Sequence, residues 1–128
     1  RAELRVRVDS DPQLVRLVIV NLVSNAVKFT ERGCVTVTVL NAGDRRVLRV
    51  ADTGPGIAGE EQKRIFEPFQ QLAPTKHKHL PGVGLGLSLV RQIVDNLEAT
   101  ITVESEIGKG STFELSLPAR HPRARPVA

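Results

Sequence analysis

The sequence predicts an α+β domain, a two-layer sandwich in which helices cover one face of a mixed, mostly antiparallel sheet. Short stretches that alternate apolar and polar residues indicate strands, and two longer apolar stretches repeat with a helical period. The predicted elements follow the order β-α-β-β-loop-α-loop-α-β-β, which favours a sheet with segregated helices. With 128 residues, 41% of them hydrophobic, the chain is able to bury one core.

The first half is predicted to hold a strand, a long helix and a hairpin. Residues 4–8 alternate apolar and charged side chains, which favours a strand with one buried face. Asp11 is a good N-cap and is followed by proline, so a helix is expected over residues 12–29. Residues 34–40 and 45–51 alternate again and predict two hairpin strands joined by a four-residue turn.

The second half is predicted to hold two helices, two strands and two loops. In chain order, we expect a glycine loop over 52–59, a short helix over 60–66, a mobile loop over 70–82, an amphipathic helix over 85–97, and strands over 100–104 and 112–117. Residues 119–128 are rich in proline and arginine, and we expect them to form a disordered basic tail beyond a single domain at residues 1–118.

Composition argues against several classes of protein. The net charge is +4, but Arg120, Arg123 and Arg125 supply three charges, and without them 15 basic and 14 acidic residues remain. The only aromatic residues are four phenylalanines, so a nucleic-acid surface is not expected. The apolar stretches are too short for direct membrane insertion. The single cysteine, Cys34, suits a reducing compartment, and we expect a cytoplasmic domain.

A polar stripe interrupts the otherwise apolar first helix. Asn21, Asn25 and Lys28 recur at spacings of four and three residues and share one helix face. Asparagine is a mediocre helix former, so two in mid-helix need an explanation. One explanation is a narrow solvated stripe. The other is a ligand-facing strip, in which amide oxygens suit Mg²⁺ and the lysine suits phosphate.

Residues 52–57 have the sequence D-T-G-P-G-I directly after a predicted strand. One interpretation is a plain strand-to-helix turn, because glycine and proline favour turns. In the other, Gly54 and Gly56 let a planar ligand approach the backbone, and Asp52 accepts a hydrogen bond from an exocyclic amine. The glycine spacing also matches a dinucleotide-binding fingerprint, but the second parallel strand that such a fold needs does not follow.

Glycines recur before the last helix and between the last strands. Gly82, Gly84 and Gly86 precede Leu87, where they form either a flexible hinge or a helix start whose N–H groups face an anion. Residues 108–112, G-K-G-S-T, need no function beyond a tight turn. They are not a P-loop, because glycine follows the lysine where serine or threonine is required.

In this order the motifs resemble the ATP-binding catalytic domain of sensor histidine kinases, in the superfamily that includes gyrase, MutL and the ninety-kilodalton heat-shock chaperone. The matching blocks are NLVSNAVKFT (21–30), ADTGPGI (51–57), IFEPFQQ (65–71), GVGLGLSLV (82–90) and VESEIGKGSTFELSLP (103–118). The resemblance implies a Bergerat-type α/β sandwich that holds ATP beneath a long lid.

The resemblance also implies a set of contacts with Mg²⁺ and ATP. The metal would be bound by Asn25, with Asn21 as a second contact, and Lys28 would lie near the phosphates. The implied nucleotide contacts are Asp52, Gly54, Gly56 and Ile57 around adenine, Thr112 at the adenine end, Phe66 and Phe69 at the base of a lid over residues 70–81, and Gly82, Gly84, Leu85 and Gly86 at its hinge. The two phenylalanines equally suit a role in anchoring the core.

Asn21 bears on the chemistry. In hydrolysing relatives a glutamate in this place activates water, whereas an amide has no useful basicity near neutral pH. The resemblance therefore implies a catalytic domain that keeps ATP from water and passes its γ-phosphate to a histidine.

The chain contains no acceptor-histidine motif. His77 and His79 fall in the predicted lid, and His121 falls in the tail. The resemblance thus implies a fragment whose dimerisation and phosphoacceptor helices precede Arg1, from a parent kinase that feeds a response regulator and can be anchored in the inner membrane. Two alternatives remain: an anti-sigma-type serine kinase, which usually has an acidic residue at position 21, and a non-catalytic module that binds nucleotide or a partner.

Overall fold

Two long helices pack across one face of an antiparallel four-stranded sheet in the computed structural model. It describes the backbone of residues 6–67 and 83–120, and the side chains of all of these except 83–86. The described elements are α1 (Pro12–Phe29), β1 (Val35–Ala42), β2 (Arg45–Asp52), α2 (Gly59–Gln62), α3 (Val83–Asn96), β3 (Thr100–Glu106) and β4 (Gly110–Pro118). The sheet order is β1-β2-β4-β3, which confirms the predicted two-layer α+β class.

Helix α1 begins at the predicted cap. The Asp11 carboxylate oxygen Oδ1 accepts hydrogen bonds from the backbone N–H groups of Gln13 at 2.9 Å and Leu14 at 3.1 Å. These donors would otherwise lack intrahelical partners, and Pro12 tolerates the first turn because it has no N–H. The predicted span of this helix, which carries the polar stripe, is confirmed.

The β1–β2 hairpin is tighter than predicted. Asn41 and Ala42 continue β1 and pair with Arg46 and Arg45, so only two residues form the turn. Gly43 occupies the first turn position with φ +64°, where a two-residue hairpin of type II′ requires glycine. The predicted four-residue turn is therefore wrong.

The core lies between the two helices and the inner face of β2, β4 and β3. Spacings of four residues turn one side of α1 inward, and strand alternation turns every second residue of β2 and β4 inward. The most deeply buried side chains are Val18, Leu22, Val50, Val90, Val94, Leu97 and Leu115. Each contributes about 1.5–3 kcal/mol by leaving water, which keeps the two layers together.

The predicted strand at residues 4–8 is not present in its described part, residues 6–8. Asp9 instead forms one isolated parallel bridge with Arg120. The Arg7 carbonyl accepts from the Arg46 side chain Nε at 3.0 Å, not from a neighbouring strand. The N-cap of α1 then ends the extended segment, so the pairing does not propagate.

Several other element boundaries differ from the prediction. The short helix expected over 60–66 is limited to Gly59–Gln62 and continues as turns, and α3 begins at Val83, before the predicted 85–97. Glycine is tolerated in this first turn, because its N–H groups have no intrahelical partner to bond. Strands β3 and β4 are both longer than predicted, since the turn between them is confined to residues 107–109.

The described part of the chain continues past the last strand. Ala119 N–H donates to the Asp44 carbonyl at 2.7 Å, and the Ala119 carbonyl accepts from Asp9 N–H at 2.9 Å. The remainder of the predicted tail, residues 121–128, lies outside the described residues. No helix within the described residues is long and apolar enough to span a membrane.

Candidate functional site

A cavity of about 40 Å³ lies at the end of β2, where Asp52 pairs with Ser111 of β4. Mostly apolar walls with a few polar groups are typical of pockets for small ligands. The lining residues are Asn25, Ala26, Phe29, Asp52, Pro55, Gly56, Ile57, Leu87, Ser111 and Phe113. The cavity therefore brings together four of the five sequence blocks, although they are far apart along the chain.

Asn25 is the unusual polar group of this cavity. Its side chain is only 9% exposed, and its amide nitrogen Nδ2 has no hydrogen-bond partner among the described residues. Leaving a buried polar group unpaired costs about 1–3 kcal/mol, so such groups are rare in proteins. A solvated stripe does not describe Asn25, because α1 turns this side chain into the cavity.

The two other members of the polar stripe differ from Asn25. Asn21 is half-buried, and its Nδ2 donates to the Leu17 carbonyl one helical turn earlier at 2.7 Å. Lys28 is exposed. The three residues share a helix face, as predicted, but Asn25 alone of them lines the described cavity.

Asp52 begins the loop that forms one wall of the cavity. Its Oδ1 accepts from Gly54 N–H at 2.9 Å, which holds the carboxylate against the loop backbone. Thr53 and Cys34 form two hydrogen bonds with each other. Thr53 N–H donates to the Cys34 carbonyl at 3.1 Å, and Cys34 N–H donates to Thr53 Oγ1 at 2.9 Å. The position of Asp52 is thus fixed by its own loop and by the start of β1.

The glycines of this loop are packed against protein. Gly56 has φ +79°, and a side chain there would collide with the Glu106 carbonyl. Gly110, the first residue of β4, packs on this loop in the same way: it has φ +113°, and a side chain there would collide with the Asp52 carbonyl. At Gly54, a Cβ atom would lie 3.0 Å from Asp52 Oδ1. The sequence analysis expected a ligand to approach the backbone closely at Gly56. In the structure the end of β3 and the β3–β4 turn, at Glu106 and Ile107, make that close approach instead.

Phe66 lies behind the cavity. Its ring packs edge-to-face on Phe113, with centroids 6.3 Å apart and planes at 83°, and Phe113 lines the cavity. This contact favours the core-anchoring interpretation of Phe66. Phe69 and Gly82 lie outside the described residues, as does the predicted lid at residues 70–81.

The remaining predicted contacts divide between α3 and β4. Gly84, Leu85 and Gly86 lie in the first turn of α3, where only the backbone is described. Thr112 is not among the described lining residues of the cavity, whereas its neighbour Ser111, 6% exposed, is. Strand alternation places these two side chains on opposite faces of β4.

Ser111 was missed by sequence reasoning, although a signal for it exists. Phe113 is a large apolar residue and must face the helices, and the period of two along a strand then turns Ser111 inward as well. The other missed lining residues are apolar, and they are Ala26, Phe29, Pro55, Leu87 and Phe113. Only the folded chain reveals that they meet in one cavity.

A larger cavity of about 440 Å³ lies at the opposite end of the β2–β4 pair. It is bounded by the start of α1, the strand ends and the segment before α1, and its lining is mostly valine, leucine and isoleucine. None of the predicted site residues lines it within the described part of the chain. Size alone therefore does not identify the functional site.

The family to which the chain belongs agrees with this fold and cavity. The family model described as histidine kinase-, DNA gyrase B- and HSP90-like ATPase matches residues 10–121. The match covers most of the chain, including every residue that lines the smaller cavity. The chain is a member of this ATP-binding ATPase family.

Within the family, the chain is similar to sensor histidine kinases. It is 44% identical over 120 residues to the circadian input-output histidine kinase CikA of Synechococcus elongatus, an alignment that covers 91% of this chain. Its fold matches the catalytic domain of the histidine kinase ThkA with a TM-score of 0.75 and 30% identity, over 88% of this chain and 71% of that one. Full-length ShkA in complex with AMPPNP matches with a TM-score of 0.70 and 34% identity over 90% of this chain.

The relatives are longer than this chain. The alignment spans 16% of CikA, and the match to ShkA covers 22% of that chain. The similarity to the ThkA catalytic domain shows that the chain is a histidine kinase ATPase domain.

Proposed function

We propose that this domain binds Mg²⁺ and ATP at the site that the smaller cavity marks, and that it transfers the γ-phosphate to a histidine of a separate dimerisation and phosphoacceptor domain. A response regulator would then receive the phosphate in two-component signalling. The observation on which this proposal rests is the buried, unpartnered amide of Asn25, which shares a cavity with the Asp52 carboxylate. The unpartnered atom, Nδ2, is a donor, so an acceptor of the ligand such as a phosphate oxygen would satisfy it, and Oδ1 would remain for Mg²⁺.

Asp52 is proposed to recognise the adenine amino group. Its Oδ1 accepts from Gly54, so Oδ2 is the oxygen for an outside donor. A carboxylate is an acceptor only, and adenine presents an exocyclic amine where guanine presents a carbonyl oxygen. Gly56 and Ile57 line the cavity beside Asp52, and Gly54 holds the carboxylate through its N–H. Ser111 lines the cavity where Thr112 was expected.

Asn25 fits a magnesium ligand. Its amide offers a hard oxygen, and Mg²⁺ is commonly bound by one or two protein groups together with substrate phosphates. Asn21 donates through Nδ2 to its own helix, which leaves Oδ1 for a second contact. The bound cation would neutralise phosphate charge, and the exposed Lys28 would add a positive charge near the phosphates.

In the proposed transfer, a nitrogen of the acceptor imidazole attacks the γ-phosphorus while the bond to the bridging oxygen breaks, so that ADP leaves. The protein contributes position and charge to such a step. Asn21 cannot remove a proton from water. Hydrolysis in the isolated domain should therefore be slow, and the phosphate is kept for the histidine.

The surroundings of the domain are also proposals. Phe69, Gly82, Gly84, Leu85 and Gly86 are proposed to form the base and hinge of a lid over the phosphates. We place the domain in the cytoplasm, with residues 1–118 as its folded unit and residues 119–128 as a basic tail. The parent kinase would supply the dimerisation and phosphoacceptor helices.

The test mixes this chain, γ-labelled ATP, Mg²⁺ and the dimerisation and phosphoacceptor domain of the parent kinase. The expected product is acid-labile phosphohistidine on the acceptor domain, with no label on this chain alone. Transfer is expected to be weak, because separated domains lose the effective concentration of one chain. Acid-stable phosphoserine would support the anti-sigma-type alternative. ADP binding without any transfer would support a non-catalytic module.

A further inference from the structure

The loop that carries Asp52 is held at its far end by residues that lie outside the cavity. Pro55 accepts from Gly108 N–H at 2.8 Å, and Ile57 N–H donates to Ser105 Oγ at 2.7 Å. Gln62 donates through Nε2 to the Ile57 carbonyl at 2.8 Å and to the Ser105 carbonyl at 3.1 Å. The loop is therefore fastened to β3 by two side chains, those of Ser105 and Gln62.

The hydrogen-bond capacity of Ser105 determines the polarity of Ser111. Ser105 Oγ lies 3.0 Å from the Gly110 carbonyl, which can only accept, so the single hydroxyl hydrogen of Ser105 is donated there. Ser105 Oγ also lies 2.7 Å from Ser111 Oγ. In the arrangement that satisfies the Gly110 carbonyl, Ser105 accepts from Ser111. Ser111 thus faces the cavity as an acceptor only.

This arrangement gives the adenine end of the cavity a single polarity. The Asp52 carboxylate accepts, and Ser111 accepts because its hydrogen is committed to Ser105. Where they meet the substituent at position 6 of the base, both groups favour the amine of adenine over the carbonyl oxygen of guanine. The preference for adenine over guanine thus depends partly on Ser105, which does not line the described cavity.

We propose that Ser105 is a positioning residue that holds the Asp52–Ile57 loop in its binding conformation and turns the hydroxyl hydrogen of Ser111 away from the cavity. Gln62 supports the first of these roles only, because it bonds the Ile57 and Ser105 backbone. The proposal rests on the proposed adenine site. It adds to that site a determinant of nucleobase selectivity that acts through two other residues.

The test is calorimetric titration of ADP and GDP into the wild-type chain and its Ser105→Ala variant. Apparent ADP affinity is proportional to the fraction of molecules in which the loop has its binding conformation. The loss of one hydrogen bond that holds this conformation should therefore weaken ADP binding about fivefold to tenfold. The freed Ser111 hydroxyl should then donate as well as accept. A general loss of affinity would weaken ADP and GDP equally. The ratio of the GDP to the ADP dissociation constant should therefore also fall, because Ser111 no longer disfavours GDP.

Matched variants separate positioning from general damage. Ser105→Thr keeps the hydroxyl and should restore both ADP affinity and selectivity. Gln62→Glu replaces two donors by acceptors, so it should weaken ADP binding while leaving the ADP to GDP ratio unchanged. Ser116→Ala removes a hydroxyl from the far end of the same sheet and should change neither quantity. If Ser105→Ala does not fold, Ser105→Cys keeps a side chain of similar size with only a weak donor and acceptor, and it should lower ADP affinity and the ADP to GDP preference in the same direction.

A nucleotide-free measurement tests the hydrogen bond itself. Exchange of the Ile57 amide with deuterium should be faster in Ser105→Ala by roughly the same factor as the loss of ADP affinity. An unchanged ADP affinity and ratio in Ser105→Ala, while Asp52→Ala weakens ADP binding, would overturn the role of Ser105 and leave the adenine site in place. If Asp52→Ala also binds ADP like the wild type, the proposed adenine site itself is wrong.

Discussion

The two ends of the β2–β4 strand pair are built for different purposes. At one end, Arg45 donates to Ser116 Oγ at 3.0 Å and to the Ser116 carbonyl at 2.7 Å, and Ala119 N–H donates to the Asp44 carbonyl. These polar groups satisfy one another. At the other end, Asp52 pairs with Ser111, and polar side chains face a cavity that also receives an unpartnered Asn25 amide.

The difference teaches where this domain uses polar groups for stability and where it holds them for a ligand. A group that is satisfied within the protein contributes modestly to folding, whereas an unsatisfied buried group opposes folding. At the far end Arg45, Ser116, Asp44 and Ala119 follow the usual rule for buried polar atoms, and Ser10 Oγ, which lines the larger cavity, is the exception among the described residues. At the Asp52 end the exception is an amide that shares its cavity with a carboxylate and a serine. Such departures are expected at functional sites.

The largest expected effect is at Asn25. Asn25→Ala should reduce transfer to the acceptor domain by about a hundredfold or more, because metal-assisted charge stabilisation is worth several kcal/mol. The variant should fold normally, since it removes a buried amide whose Nδ2 lacks a partner. The measurement is phosphohistidine formation alongside thermal unfolding, with the exposed Asn41→Ala as the control. Transfer within twofold of the wild type would contradict the assignment.

The next effect is at Asp52. Asp52→Ala removes a charge-assisted hydrogen bond worth about 1.5–3 kcal/mol, so ADP should bind roughly 10- to 150-fold more weakly. Calorimetric titration measures this directly. Asp44→Ala, a carboxylate in the turn at the other end of the strand pair, should bind ADP like the wild type. Equal affinity of wild type and Asp52→Ala for ADP, or equal wild-type affinity for ADP and GDP, would remove Asp52 from the adenine site.

The smallest effect is expected at the far end. Ser116→Ala loses the hydrogen bond from Arg45 Nε, and denaturant unfolding should show a loss of about 0.5–1.5 kcal/mol. ADP affinity should be unchanged, because the residue lies at the other end of the strand pair from Asp52. A clear loss of ADP affinity without a change in stability would abolish the distinction between the two ends.

Local sequence signals predicted most of the fold. The cap at Asp11 and the helical period gave α1, and alternation gave the strands, because these signals act within a few residues. The segment at residues 4–8 alternates as well, yet its described part pairs at a single bridge. Strand formation there depends on a partner strand, and alternation does not reveal which groups the partner offers.

The site was predictable in its members but less so in its geometry. The order of motifs brought out Asn25, Asp52 and Gly56, all of which line the cavity. The burial of Asn25 depends on α3 and the sheet, so a helical period alone cannot distinguish it from Asn21. The link from Ser105 to Ser111 depends on the register of β3 against β4, which is a tertiary property.

The central claim is that the polar end of the strand pair binds the nucleotide and that the larger apolar cavity does not. Amide chemical shifts of the labelled chain, followed by NMR during titration with Mg²⁺ and ADP, test it most directly. We expect shifts at Gly54, Ile57 and Ser111, with Val47 and Leu117 of the larger cavity unchanged. Saturable shifts at Val47 and Leu117, with Gly54 and Ser111 unaffected, would contradict it.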